Sequence, residues 1–445
     1  MGLTMSEFQH VLTLILGTLT NYWELIATFL PIMLIVEVPL LLFVFIGVLH
    51  WSWKDNQITE TTYPPISFII TCYSEGHGIE KTINTLLEQI YPSPIEILIV
   101  IDGAKQNQHT YASAMKYVAN SKQKSLSRRN KTVRLLPKWQ RGGRVSTLNT
   151  GLSEARYNLI INVDGDTSFD NDMALKMAKS FHSQDVIACG GALRVRNHND
   201  SFWTKMQALE YMMSMQTSKT GMATWGLLNN ISGAFGAFRK PILKQVGGWD
   251  SHTAEDLDLT MRLKQYKKRY PNLELNFSPR AIGHTDVPDT FKTLIAQRLR
   301  WDGDLLFLYL RKHKQGLNPK LLGWPSFLYL LCYGVLQAVL FPILITLFNI
   351  YLFLFYPTTV VLAVLSCLYV VYLVFVITTF LVYMFLISER IKEDREMILW
   401  LFIYPFYALF MRVVTAFSMI NEVVRRSHEE SSMAPWWVLK RGKRF

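Results

Sequence analysis

Residues 8–51 and 321–421 are almost free of charge, whereas 52–320 between them reads as ordinary globular sequence. A helix crosses the hydrocarbon of a bilayer with about 20 apolar residues, and lipid admits only spans whose backbone polar groups are satisfied internally. A soluble domain set between membrane segments is the arrangement this segregation dictates. Pro31 to Trp51 is long enough to span, with Glu37 inside it, while Val11 to Leu30 is interrupted by Asn21 and Glu24. One or two N-terminal helices are consistent with this, and two are preferred. Trp51 and Trp53 suit the interface, with Lys54 and Asp55 in water beyond them. The first apolar run is too long for a signal-peptide core and no cleavage site follows it, so it reads as a retained anchor.

Leu321 to Tyr356, Thr358 to Ile387 and Met397 to Ile420 are three further span-length stretches. The loop 388–396 carries Arg390, Lys392 and Arg395, and the tail carries Arg425, Arg426, Lys440, Arg441, Lys443 and Arg444. Basic flanks mark the cytosolic side. One crossing cannot join two cytosolic ends, so Pro405 and Arg412 point to a broken, re-entrant or interfacial last segment. The number of crossings is left open on these grounds.

The 445 residues hold 46 Lys and Arg against 34 Asp and Glu, a formal charge of +12. Basic residues cluster at Lys122, Lys124, Arg128, Arg129, Lys131, Arg134, Lys138, Arg141 and Arg144. In a membrane protein such an excess marks the cytosolic flank and suits anionic headgroups or a diphosphate, and nucleic acid is set aside as a partner. Cys72, Cys189, Cys332 and Cys367 are scattered, with neither metal spacing nor a disulfide framework, as in a reducing cytosol.

From Pro64 onward, short apolar runs alternate with amphipathic stretches, the pattern of an α/β domain with a largely parallel sheet. Strands are expected at 66–70, 95–101, 132–136 and 159–163, and a helix at 79–90. The second strand runs into Asp102 and the fourth into Asp164-Gly165-Asp166. Ligands of open sheets bind beyond the carboxyl ends of strands, so two strands ending in aspartate predict a nucleotide site. Helices are also expected from Ser201 to Met215 and from Phe291 to Leu310, each either facing the core or lying in the membrane interface.

Transfer of a sugar from a nucleoside diphosphate leaves negative charge on the departing diphosphate, which Mg2+ or Mn2+ held by carboxylates would offset. Asp164 and Asp166 are placed for ribose and metal, Asp166 being the metal ligand, and Asp102 for the nucleoside. An attacking acceptor hydroxyl must lose its proton, and a carboxylate does this well. Glu255-Asp256 opens an expected helix, Leu257 to Tyr266, whose dipole favours the ionised form, and Asp256 is assigned as the base. In Gln297-Arg298-Leu299-Arg300-Trp301, Arg300 suits a diphosphate and Trp301 offers an apolar face for a sugar ring, with Gln297 completing the site.

The order Asp102, Asp164-Gly165-Asp166, Glu255-Asp256, Gln-Arg-Leu-Arg-Trp resembles the processive family-two glycosyltransferases: cellulose, chitin, hyaluronan and poly-N-acetylglucosamine synthases. Within that resemblance, Thr71-Cys72-Tyr73-Ser74-Glu75 is similar to the loop that holds uracil, which gives Tyr73 and Glu75 a nucleotide-binding role. Gly142-Gly143-Arg144 with Leu148-Asn149-Thr150-Gly151 is similar to a glycine-lysine-alanine segment, with Arg144 in place of the usual lysine. Ser232-Gly233-Ala234-Phe235 is similar to the acceptor-side loop, which places Ser232, Gly233 and Glu255 beside the acceptor. The Ala-Glu-Asp-Leu-Asp form of the third motif is most like that of the poly-N-acetylglucosamine synthases. A departure follows Trp301, where Asp302-Gly303-Asp304 replaces the small uncharged residues of those relatives.

The resemblance implies a GT-A nucleotide-diphospho-sugar transferase domain with a mixed, mostly parallel sheet between membrane helices. It also implies inversion at the anomeric carbon, a UDP-sugar donor, a growing polysaccharide acceptor and export through a cytosol-facing plasma (inner) membrane enzyme. Need for a small accessory membrane subunit is left open. The expected division is 1–51 membrane, 52–290 catalytic, 291–320 interfacial, 321–421 membrane and 422–445 a basic cytosolic tail. Two alternatives stand beside this reading: a lipid glycosyltransferase that adds one sugar, and a non-catalytic scaffold. The clustered carboxylates argue against the scaffold, because their repulsion costs stability without a cation.

Overall fold

The structure, a computed structural model, describes residues 33–58, 62–123, 130–250 and 254–425, with scattered residues between 9 and 24. Most of the expected helix from Val11 to Leu30, the basic residues Lys124, Arg128 and Arg129, and the tail beyond Arg425 lie outside the described residues.

The membrane-grade helix α1 spans Ile35–Gln57. Four strands follow as β1 (Ile66–Cys72), β2 (Ile95–Ile101), β3 (Lys131–Pro137) and β4 (Leu159–Asp164). Helices α2 (Gly78–Leu87), α3 (Gln108–Gln123) and α4 (Gly143–Glu154) connect them, so every neighbouring pair, β3-β2, β2-β1 and β1-β4, is parallel. Both faces of this half are covered, which explains why the strands read as unbroken apolar runs. Phe68, Ile70, Ile97 and Ile99 pack with Ile79, Ile83 and Leu86 of α2. On the other face Ile69, Leu98 and Val100 pack with Val145, Leu148 and Leu152 of α4.

The second half is mixed. After β5 (Ser168–Phe169) and α5 (Met173–Lys179) come β6 (Val186–Val195), β7 (Phe235–Arg239) and β8 (Glu274–Thr285), completing the order β3-β2-β1-β4-β7-β6-β8-β5. β7 is antiparallel to β4 and β6, and β5 to β8. Its consequence for function is positional: Val163 pairs with Phe235, so the loop ahead of β7 meets the carboxyl end of β4.

Helix α6 (Phe202–Glu210) begins with a capping box at Ser201 and Thr204. It continues as a π-helical stretch, Tyr211–Ser218, into Lys219–Thr224. This last stretch lies directly on α1, where Gly221 and Gly47 meet so closely that a methyl on either would enter the other helix's backbone. Trp225 Nε1 donates to the Phe43 carbonyl at 2.9 Å in the same contact. Helix α7 spans Glu255–Arg269 and α8 spans Phe291–Phe307.

Among the described residues three more helices are long and apolar enough to cross a membrane: α9 (Trp324–Phe355), α10 (Thr358–Ile387) and α11 (Tyr404–Arg425). Membrane helices therefore lie on both sides of the sheet domain in sequence. The last expected stretch, Met397 to Ile420, is broken ahead of Pro405 into two helices. Residues Arg395–Phe402 form a 3-10 helix, and α11 then runs uninterrupted. Pro405 sits in its first turn, where no intrahelical N–H is needed, so it starts the helix instead of breaking it. The basic loop 388–396 docks on the sheet domain through Lys176–Glu389 and Arg390–Asp170, both at 2.6 Å, and a buried Arg194–Asp394 pair. Loop and sheet domain consequently share one side of any bilayer the helices cross.

Candidate active site

The carboxyl ends of β1, β2 and β4 lie side by side, Thr71 in register with Asp164 and Cys72 with Ile101. The turn that leaves β1 is tight: Ser74 has φ +73° and Gly76 φ +56°, conformations L side chains rarely adopt. It lays Glu75 against Gly165, where a methyl on the glycine would meet the Glu75 Cγ at 3.0 Å. Glu75 Oε2 is buried without a hydrogen-bond partner. Removal from water pushes the Glu75 carboxyl up to about 7, with Asp166 and Asp164 adding to the rise against backbone hydrogen bonds at Tyr73 and Glu75. Asp166 is exposed at its rim, and crowding by the protein together with Asp164 raises its carboxyl too. The Tyr73 ring lies under the Arg141 guanidinium at 3.9 Å.

Arg144, at the start of α4, is the hub of the site. Its Nη1 lies 2.5 Å from Asp164 Oδ1 and its Nε donates to Glu255 Oε1 at 2.5 Å. Its Nη2 donates to the Gly233 carbonyl at 2.6 Å, and Nη1 also reaches Thr71 Oγ1 at 3.3 Å. Burial opposes its charge, but Asp164 and Glu255 more than offset that and its pKa rises. Arg144 thus joins the β4 end to the start of α7 and to the loop ahead of β7, with four of its five N–H donors committed.

Gly233 is the second junction. Its carbonyl also accepts from Asn162 Nδ2, and its N–H donates to Asp256 Oδ2 at 3.2 Å. A methyl there would meet Glu255 Oε1 at 2.8 Å and Arg144 Nη2 at 3.3 Å, so only glycine fits this crossing without displacement. Ser232 Oγ accepts from the Ala234 N–H in the same turn. Asp256 is in the first turn of α7, where the helix dipole favours a carboxylate. It accepts from Asn230 Nδ2 at 2.9 Å and Leu257 N at 2.7 Å as well as from Gly233. Glu255 is 4% exposed, and burial drives its carboxyl upward, with Asp256 assisting and Arg144 opposing.

The structure therefore brings Glu75, Asp164, Asp166, Arg144, Ser232, Gly233, Glu255 and Asp256 to one edge of the sheet. Asp102 stands one strand away and is closed off, accepting from Lys138 Nζ at 2.7 Å and from the Gly142 and Gly143 amides at 2.8 Å each. At 3% exposure it acts in this arrangement as the clasp of the loop into α4. Gln297, Arg300 and Trp301 form no hydrogen bond or ion pair with the carboxylate cluster. The motif is anchored instead by Arg298, whose fork meets both Glu210 oxygens at 2.8 Å and whose guanidinium lies 4.9 Å from the Trp301 ring centre. Arg300 has no ion-pair partner among the described residues, and Gln297 Oε1 is buried without a hydrogen bond. Asp302 is turned toward Thr415 and Ser418 of α11, and burial pushes its carboxyl up to about 6.

Several site residues escaped the motif reading: Lys138 on Asp102, Asn230 on Asp256, Lys219 on Asn230, and Arg196, whose Nη1 donates to the Asp166 carbonyl at 3.1 Å. Among the described residues no group of three or more His, Cys, Asp or Glu side chains is placed to hold a metal ion. Magnesium or manganese needs less, one or two carboxylates completed by phosphate oxygens and water. The crowded Asp164–Asp166 pair beside the unpartnered Glu75 Oε2 fits that lesser requirement.

An acid whose folded-state pKa lies above its unfolded value contributes stability that is lost as pH rises through the folded value. For Glu75 that window runs from 4.5 to about 7. Without cation or nucleotide, Glu75→Gln is expected to melt higher than the parent at pH 7.5 and together with it at pH 4.5. Melting curves at the two pH values check this, and an equal difference at both would show that Glu75 does not titrate in the window.

An open sheet with acidic strand ends, closed by an acidic helix start and flanked by membrane helices, is the GT-A architecture of nucleotide-diphospho-sugar transferases. The chain belongs to the family-two glycosyltransferases: residues 67–247 match Glycosyl transferase family 2 and residues 159–415 match Glycosyl transferase family group 2. It is 30% identical over 238 residues to a poly-beta-1,6-N-acetyl-D-glucosamine synthase of Staphylococcus epidermidis, covering 53% of each chain. With the corresponding synthase of Staphylococcus aureus (strain COL) it shares 28% over 249 residues, 56% of each chain. The chain thus spans about half the length of the curated relatives it matches. A mannosyltransferase from Pyrobaculum calidifontis, solved with GDP-Man and Mn2+, has a similar fold at TM-score 0.50 and 14% identity, covering 87% of this chain and 97% of that one.

Proposed function

We propose that this protein is a membrane-embedded inverting glycosyltransferase that polymerises a β-linked polysaccharide from a UDP-sugar, with UDP-N-acetylglucosamine the favoured donor. The sheet domain faces the cytosol of the plasma (inner) membrane and the product leaves across it. The observation that carries the reading is the Arg144 hub, whose guanidinium joins the donor-side Asp164 to the acceptor-side Glu255 directly and to Asp256 through Gly233. Asp164, Asp166 and Glu75 take the nucleotide side, with Tyr73 and Asp102 shaping its loop. Asp256 takes the proton of the acceptor hydroxyl as that oxygen attacks the anomeric carbon opposite the leaving diphosphate, which inverts the centre. Ser232 and Gly233 border the acceptor, and Trp301, with Gln297 and Arg300, completes the site once the acceptor is seated. Asp166, with Asp164, would hold Mg2+ or Mn2+, and the cation would neutralise the departing diphosphate. The similarity to poly-N-acetylglucosamine synthases over the catalytic half supports the choice of donor.

A second reading, transfer of one sugar to a lipid, draws on a largely apolar cavity of about 410 Å³ among the membrane helices, lined by residues including Leu344, Phe348, Phe375 and Leu409. An acyl chain suits such walls better than a sugar polymer does. A panel of UDP-sugars offered to the purified protein in nanodiscs, read by UDP release, tests the donor. Release is expected with UDP-N-acetylglucosamine and is expected to stop after thorough chelation and return with Mg2+ or Mn2+. Undiminished release in chelator would remove the cation from the account.

A further inference from the structure

Asp256 is held by more than its own helix, and what holds it leads back to the membrane. Asn230 donates its amide Nδ2 to Asp256 Oδ2 at 2.9 Å, while its Oδ1 accepts from Lys219 Nζ at 2.7 Å. An ammonium can only donate, so Lys219 dictates which end of the Asn230 amide faces the carboxylate. With the Gly233 N–H also on Oδ2 at 3.2 Å, that oxygen has two donors, whereas among the described residues Oδ1 has the Leu257 N–H at 2.7 Å alone. A carboxylate oxygen has two acceptor sites, so Oδ1 is the atom left with room for an incoming proton.

We propose that Lys219 and Asn230 form a positioning pair that fixes the plane of the Asp256 carboxylate and turns Oδ1 to the acceptor hydroxyl. The proposal rests on Asp256 being the base.

Two further features support it. Burial pushes the Lys219 ammonium down to about 8, with Asp256 pulling the other way, which leaves it charged at neutral pH. Lys219 is also tied to the membrane helix: two residues on, Gly221 is pressed against Gly47 of α1. The pair therefore registers the base against α1. Asn229, next in chain to Asn230, accepts from Tyr309 OH at 3.0 Å, so the segment after α8 braces the same loop. The charged and titratable groups around Asp256 are Lys219, Glu255 beside it on α7, Arg144 beyond Glu255, and Tyr309. Lys219 is the cation among these whose charge reaches Asp256 through a single amide.

The test uses the full chain in nanodiscs with four variants, Lys219→Met, Lys219→Arg, Asn230→Ala and Asp256→Asn. Donor KM, kcat and the pH dependence of kcat are measured for each. Asn230→Ala is expected to lose about 10–100-fold in kcat with donor KM within about twofold, the scale of a misplaced catalytic group. Lys219→Met is expected to move the acidic limb of kcat up by about one pH unit, because a carboxylate deprived of a nearby cation holds its proton more tightly. Lys219→Arg is expected to keep the limb where it is. Lys219→Met is near-isosteric and is the variant read if Asn230→Ala melts early. A Lys219→Met profile identical to the parent's, with Asp256→Asn inactive, would overturn the positioning pair and leave the base in place. An active Asp256→Asn would overturn the base, and the pair's role with it.

Discussion

Asp256→Asn is expected to lower turnover by about 10²–10⁴-fold, the usual contribution of a positioned general base, while UDP affinity changes by less than about threefold. The separation follows from where the contacts run. Asp256 is bound by Asn230, Gly233 and Leu257, whereas the proposed nucleotide side is built from Glu75, Asp164 and Asp166 beyond the ends of β1 and β4. An amide keeps the size and most of the hydrogen bonds of the carboxylate but cannot take up the acceptor proton. Calorimetric UDP binding and initial-rate kinetics on the same preparation separate the two effects. Full polymerising activity in the variant would remove Asp256 from the chemistry.

Arg144→Met is expected to do more damage to the fold than any other single change at the site. The side chain is 15% exposed and neutralises Glu255, at 5%, and Asp164, at 29%. Removing one partner of a buried ion pair strands the other charge and costs about 3–5 kcal/mol. The loss is expected to be greatest at pH 7.5 and smaller near pH 5.5, because an unpaired, buried Glu255 then takes up a proton. Arg144→Lys keeps the charge but not the fork that spans Glu255, Asp164 and Gly233, and is expected to fall between the two. Chemical denaturation of the detergent-solubilised protein at both pH values measures this, and a methionine variant as stable as the parent would show that the hub is not holding the site together.

The parallel half of the sheet was legible because β1, β2 and β4 are buried on both faces and punctuated by polar ends. The run Ile95–Ile101 falls where the apolar pattern put it, and Leu159–Asp164 extends one residue further. The mixed half was not. β6 reads Val-Ile-Ala-Cys-Gly-Gly-Ala-Leu-Arg-Val, and its glycines exist to admit Phe277 and Phe235 from neighbouring strands, a packing relation that no local pattern records. Asp102, Asp164, Asp166, Glu255 and Asp256 were legible from position, since each ends or follows a strand or opens a helix, whereas Glu75 came only with the resemblance of its loop. Their partners were not. Asn230 in a polar loop looks like a turn residue, and Lys219 lies inside the globular stretch 52–320 with no motif around it. The Gln297–Trp301 motif was legible as a unit but not in its parts. Arg298 and Arg300, two residues apart on α8, point to different sides, so one pairs with Glu210 and the other has no ion-pair partner among the described residues.

The measurement that bears most directly on the whole account is the size of the product. Purified protein in nanodiscs, given UDP-N-acetylglucosamine and Mg2+ or Mn2+, is expected to yield a ladder of long chains that hydrolyses to N-acetylglucosamine. A single sugar transferred to a lipid, with no longer species at any donor concentration, would contradict it.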